Sequence, residues 1–193
     1  MNFGSLGMLN HRLCYVIFPI FGFCAGICSG LSTIPPGWGV IAPGFFFGLA
    51  LAFSWEACAT RLAWYQGTAI VIGSTVGFVA AEITSILSYR FFDLGNGMLA
   101  GLHYGAVGGY AGGLIVAATL ALVIPNFSIA RTLLLVPFTG MFFGVIFVFC
   151  GIYISDHTPW GHPFDDLVTF PLWQTGVAAV IPFCYGTSRP PTD

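Results

Sequence analysis

Two residues able to do chemistry, Glu82 and His103, fall inside apolar stretches long enough to cross a bilayer. A charged side chain at the middle of such a helix costs about 2.5–3.5 kcal/mol on insertion scales. A carboxylate there must therefore be protonated, partnered or wetted. Carboxylate and imidazole together would make a site for a proton or a small cation. Glu82 lies eight residues before Arg90, and His103 seven after Asn96. At the helical rise these separations are about 12 Å and about 10 Å, so the sequence predicts that the two share one layer. The connection over 91–97 is short enough to make their helices neighbours, with facing side chains bonded directly or through water. The plainer reading is a neutral Glu82 carboxyl bonded to Thr84, Ser85 or a backbone carbonyl, and an ordinary hydrogen-bonded His103.

A second group of polar residues lies in 155–169, expected as a loop that caps the bundle on the side of Glu82. Asp156, His157, His162, Asp165 and Asp166 fall within eleven residues, a donor set that favours zinc or another transition metal over calcium. The spacing matches no closed structural site, and a solvated, turn-rich loop accounts for it as well. Around His103 the run Gly101-Leu-His-Tyr-Gly105 leaves room for a flat macrocycle. A bis-histidine haem would need a second histidine at that depth, and His11, His157 and His162 all fall near surfaces. No cofactor follows from the sequence.

Cys14, Cys24, Cys28, Cys58, Cys150 and Cys184 lie in or beside apolar segments, where free cysteine is an ordinary buried residue. Cys24 and Cys28 share a helix face. Cys28-Ser29-Gly30-Leu31 resembles the cysteine motif of exosortase-type membrane transpeptidases over four of the 193 residues. That resemblance implies Cys28 as nucleophile, with Arg90 and His103 as the candidates for the required arginine and histidine. Other catalytic signatures are missing from the sequence, including His-Glu-x-x-His, Gly-x-Ser-x-Gly and Cys-x-x-Cys-His. An enzyme is the weaker reading.

Composition sets the solvent in which these groups work. Charged residues make up 6% of the chain and apolar ones 57%, where a soluble domain carries about 25% charged residues. The net charge of −2 excludes nucleic acid as a partner and leaves the lipid bilayer. No lysine occurs, which rules out Schiff-base chemistry and a phosphate-binding lysine of the P-loop kind.

The elements that must position these residues are six apolar segments, at 13–31, 38–57, 62–88, 98–124, 132–154 and 170–185. They predict an all-α, polytopic transmembrane bundle forming a single domain over 1–193. The second segment starts among Pro35, Pro36 and Pro43, so a kink or a re-entrant course is open to it. The first follows a short polar start ending in His11 and Arg12 and reads as a retained signal-anchor helix. Arg12, Arg61, Arg131 and Arg189 alternate with Arg90 about the spans. The positive-inside rule then places both termini in the cytoplasm, and a bacterial inner membrane is the expected location.

Glycine is spaced as well as abundant, with 26 residues. Gly22, Gly26 and Gly30 form a ridge on the first helix, and Gly101, Gly105, Gly109 and Gly113 a groove on the fourth. In lipid such ridges let backbones approach closely, either within the chain or against another subunit or a second copy. The leading functional expectation is a transporter-like or solute-binding component for a small solute or ion, with an outward-facing polar cavity lined by Glu82 and His103. The alternative is an accessory or assembly subunit of a larger membrane complex that docks through its glycine ridges. A third is an enzyme of the outer face, using Cys28 or the loop metal ligands.

Overall fold

Placed in lipid, an apolar chain must satisfy its backbone hydrogen bonds internally, and this sequence does so with helices. The computed structural model describes residues 3–33, 39, 41–58, 62–92, 97–125, 127–157 and 162–185, with side chains described from 12 to 154 and from 166 to 185 within those spans. Among them are six helices: α1 (Phe3–Ser32), α2 (Ala42–Cys58), α3 (Trp64–Phe92), α4 (Met98–Val123), α5 (Ile129–His157) and α6 (His162–Cys184). All but α2 contain a stretch long and apolar enough to cross a membrane, making five such helices. The protein is an integral membrane helical bundle.

Three boundaries differ from expectation, each for a physical reason. The first helix begins at Phe3 rather than near residue 13, since a helix can run on beyond the stretch that lipid solvates. The second is a regular helix of 17 residues starting at Ala42, about 25 Å long against a hydrocarbon core of about 30 Å. Pro43 stands in its first turn, where a missing N–H is no loss. The stretch 155–169 is largely helical rather than a loop, because α5 continues to His157 and α6 starts at His162. Pro163 in the first turn of α6, followed by Asp165 and Asp166, is the composition of a helix start.

Each helix packs against its neighbours in the chain, and α1 closes against α6 to complete a ring. The ring is pinched where α2 touches α6, which leaves α1 outside the pinch and α3, α4, α5 and α6 around a space of their own. The end at which α2 and α6 finish is filled by rings. Trp55 lies with its centroid 5.4 Å from both Phe127 and Tyr185, and the Ser128 N–H donates to the Cys184 carbonyl at 2.9 Å. There Gln66 ties the start of α3 to the end of α4, its Nε2 donating to the Val123 carbonyl at 2.8 Å.

Backbones approach through glycine at several of these contacts. Between α4 and α5, a Cβ on Gly105 or Gly109 would fall on the carbonyl of Gly144 or Gly140, and the converse holds too. Along α1, a Cβ on Gly22 would lie 2.8 Å from the Gln174 carbonyl oxygen, one on Gly26 would strike Pro171, and one on Gly30 would lie 2.8 Å from the Asp166 carbonyl oxygen. All three are buried against α6. The lipid-facing surface is lined instead by large apolar side chains such as Leu99, Leu122 and Phe142.

This packing predicts unequal responses to the same small change. Gly109→Ala should lower the melting temperature of the detergent-solubilised protein, because overpacking a closed contact costs about 1–3 kcal/mol. Gly67→Ala adds a methyl group with nothing within 4 Å, so it should leave stability unchanged or slightly raised. Equal melting curves for the two variants would contradict the closed α4–α5 contact.

Candidate functional site

The antiparallel register of α3 and α4 brings Ser85 opposite Tyr104, the Ser85 hydroxyl donating to the Tyr104 carbonyl at 2.9 Å. Ala81 and Gly77 pair lower down with Gly108 and Gly112. In this register the Tyr104 hydroxyl reaches Glu82 and donates to Oε2 at 2.6 Å. Thr84 does not serve the carboxylate, since its hydroxyl bonds the Ala80 carbonyl at 2.6 Å. Among the described residues Oε1 has no protein donor and no cationic side chain meets Glu82. Arg90, the arginine nearest in sequence, is exposed in the last turn of α3.

The pair opens on a cavity of about 70 Å³ lined by residues of α3, α4, α5 and α6. Four aromatic rings form part of its wall: Phe78 from α3, Phe147 from α5, and Phe170 and Trp173 from α6. Phe170 meets Phe147 edge-on with centroids 5.3 Å apart and leans on Phe78 at 5.8 Å. The Trp173 indole N–H is taken up by the Gly140 carbonyl at 3.2 Å, so its ring serves as wall. Gly105, Gly108, Gly109 and Gly144 also line the space. A pocket for a drug-sized ligand occupies about 300–1,000 Å³, so this one suits a few heavy atoms.

His103 is not among the lining residues. It bonds the Ser88 hydroxyl and packs edge-on against Phe92, with centroids 5.4 Å apart. Glu82 and His103 do not meet, because His103 stands one residue before Tyr104 and so points about 100° round α4 from it, toward Ser88. Measured from the helix ends, Glu82 is ten residues in and His103 five, or about 15 Å against about 7.5 Å at the helical rise. Tyr104, which completes the site, was not singled out in the sequence. Its one available signal was that it adjoins His103 between glycines.

A second polar node ties the other half of the ring. Gln174, fully buried on α6, donates from Nε2 to Ser29 Oγ at 2.8 Å and to the Pro43 carbonyl at 3.2 Å. The Ser29 hydroxyl in turn donates a hydrogen bond to the Ala25 carbonyl at 2.8 Å. One side chain thereby joins α1, α2 and α6. Among the described residues its Oε1 has no partner.

The remaining sequence candidates do not assemble. Cys28 is exposed on α1, which packs on α2 and α6, while Arg90 and His103 belong to α3 and α4. The adjacent Ser29 and Gly30 are the buried members of the Cys28-Ser29-Gly30-Leu31 motif. The side chains of His157, His162 and Asp165 lie outside the described residues. Asp166 is half-buried, with its backbone against Gly30. Among the described residues no three His, Cys, Asp or Glu side chains converge as metal ligands.

These placements separate two substitutions by size of effect. Cys28→Ala should shift stability by no more than about 0.5 kcal/mol, whereas Gln174→Ala empties a buried position, withdraws both hydrogen bonds and should cost about 2–5 kcal/mol. Melting curves in detergent distinguish them, and a large loss for Cys28→Ala would contradict its outward position. Comparison with protein families, with curated proteins and with solved structures gives no match for this chain.

Proposed function

We propose that the protein is a transporter-like, solute-binding component of a membrane, in which Glu82 takes up a proton or a small cation. The observation that carries this reading is the Glu82 carboxylate, set among aromatic walls with one protein hydrogen bond and no cationic partner among the described residues. A hydrogen bond to a charged group contributes about 1.5–3 kcal/mol, which at best offsets the insertion cost of one carboxylate. It leaves nothing over to hold a bare charge in an apolar cavity against its preference for water. A bound proton or cation supplies the difference, and its arrival and departure are the elementary act of a transport cycle. The arginine distribution supports a cytoplasmic placement of both termini and, with it, a bacterial inner membrane.

The accessory-subunit reading rested on an exposed glycine ridge along α1, and α6 covers that ridge. The outer-face enzyme reading rests on Cys28, which is exposed on α1 away from the helices of Arg90 and His103, or on the loop ligands, of which the side chains of His157, His162 and Asp165 lie outside the described residues. Among the described residues the cavity beside Glu82 is the feature that favours the solute-binding reading over both.

The test is charge movement in proteoliposomes holding the full chain, driven by a proton gradient or by a jump in monovalent cation concentration. Glu82→Gln should reduce the current by at least about tenfold, the equivalent of 1.4 kcal/mol, while the protein stays monodisperse with an unchanged melting temperature. Tyr104→Phe should give a smaller, few-fold loss. Currents that do not depend on Glu82 would sink the proposal.

A further inference from the structure

The chemistry of the cavity narrows what enters it. Resting on the reading of Glu82 as the charge-binding group, we infer that the ligand is a small ammonium-type cation, ammonium itself or methylammonium, seated between the carboxylate and the aromatic walls.

Oxygen supply argues against a metal ion. Calcium takes six to eight oxygens and magnesium a full octahedron, and among the described residues the lining side-chain oxygens belong to Glu82, Tyr104 and Ser85. The Ser85 and Tyr104 hydroxyls donate to the Tyr104 carbonyl and to Oε2 of Glu82 and keep their lone pairs, so the two carboxylate oxygens and these two hydroxyls are still short of such a shell. The lining glycines sit within α4 and α5, where each carbonyl already accepts a helical bond and is aimed along the helix axis. An ammonium group asks for less. One N–H can go to Oε1, the carboxylate oxygen without a protein donor among the described residues. The rest of its charge can be met by π-faces, which attract cations most strongly when both are stripped of water.

The walls and the volume fit the same class. Phe78, Phe147, Phe170 and Trp173 contribute no hydrogen-bonding atom to the space, the indole N–H being held by the Gly140 carbonyl. They therefore disfavour a strongly hydrated ion and accept a weakly hydrated one. A water needs at least about 10–15 Å³ on the measure by which this cavity is about 70 Å³. Methylammonium, with two heavy atoms, fits; tetraethylammonium, with nine, does not.

Calorimetric titration of the full chain in detergent tests the inference, using the chlorides of methylammonium, sodium and tetraethylammonium at constant ionic strength. Methylammonium should bind saturably, and sodium and tetraethylammonium at least about tenfold more weakly, a margin of 1.4 kcal/mol. Phe170→Leu, checked for an unchanged melting profile, should weaken methylammonium several-fold. Sodium binding as tightly as methylammonium would overturn the assignment, as would an affinity indifferent to Phe170→Leu. If methylammonium does not bind while Glu82-dependent proton current persists in proteoliposomes, the ligand class falls and the role of Glu82 stands. If neither binding nor current depends on Glu82, both fall.

Discussion

Helices in lipid gain nothing by hiding apolar side chains from a solvent that is itself apolar, so what holds them together is contact between backbones and the few polar bonds made across them. The α4–α5 contact is the extreme case here. Gly105 and Gly109 meet Gly144 and Gly140 with carbonyl oxygens where a side chain would begin. So close an approach fixes the rotation of α4, and that rotation decides which residues look into the ring. The opposite flank of α4 meets α3 through Gly108 and Gly112. Between the two glycine flanks Tyr104 reaches Glu82. The site is a consequence of how α4 is gripped.

The other half of the ring is held differently. There α1 lies along α6 through Gly22, Gly26 and Gly30, and Gln174 adds bonds to Ser29 and to the backbone of α2. Directional bonds of this kind specify one arrangement where van der Waals contact alone would tolerate several. The short α2 is enclosed more fully than α3, with Phe47, Leu51 and Trp55 in the core. One half thus serves as frame, and the half that contains α3, α4 and α5 holds the cavity against α6.

The architecture was legible because the hydrophobic signal is long-range and additive. Six apolar runs became six helices, and the fourth was placed to within a residue at either end. What the runs do not carry is rotation and the true ends of the helices. The partner of Glu82 is the residue next to His103, since one residue turns a side chain about 100° round the helix and an apolar run carries no signal of that rotation. Gln174 escaped notice because a single carboxamide barely changes an apolar average, although in the fold it joins three helices. Pro163, Asp165 and Asp166 read as a turn, yet the same residue types begin helices, and here they fall in the first turns of α6.

Glycine also explains how an apolar bundle can hold open a cavity at all. A lipid-embedded core packed with large side chains would close around Glu82 and leave its carboxylate in contact with carbon. Gly105, Gly108, Gly109 and Gly144 instead bring backbone where side chains would stand, and the remaining volume is bounded by rigid rings that cannot collapse into it without losing their mutual contacts. Trp173 is fixed further by its bond to the Gly140 carbonyl, which belongs to the very glycine that meets Gly109. Helix packing and cavity wall are therefore one structure: a shift of α5 along α4 would move Gly140, release the indole and alter the space beside Glu82. On the proposed role of Glu82, the cost of exposing the carboxylate to lipid falls on the same contacts that set the position of the helices.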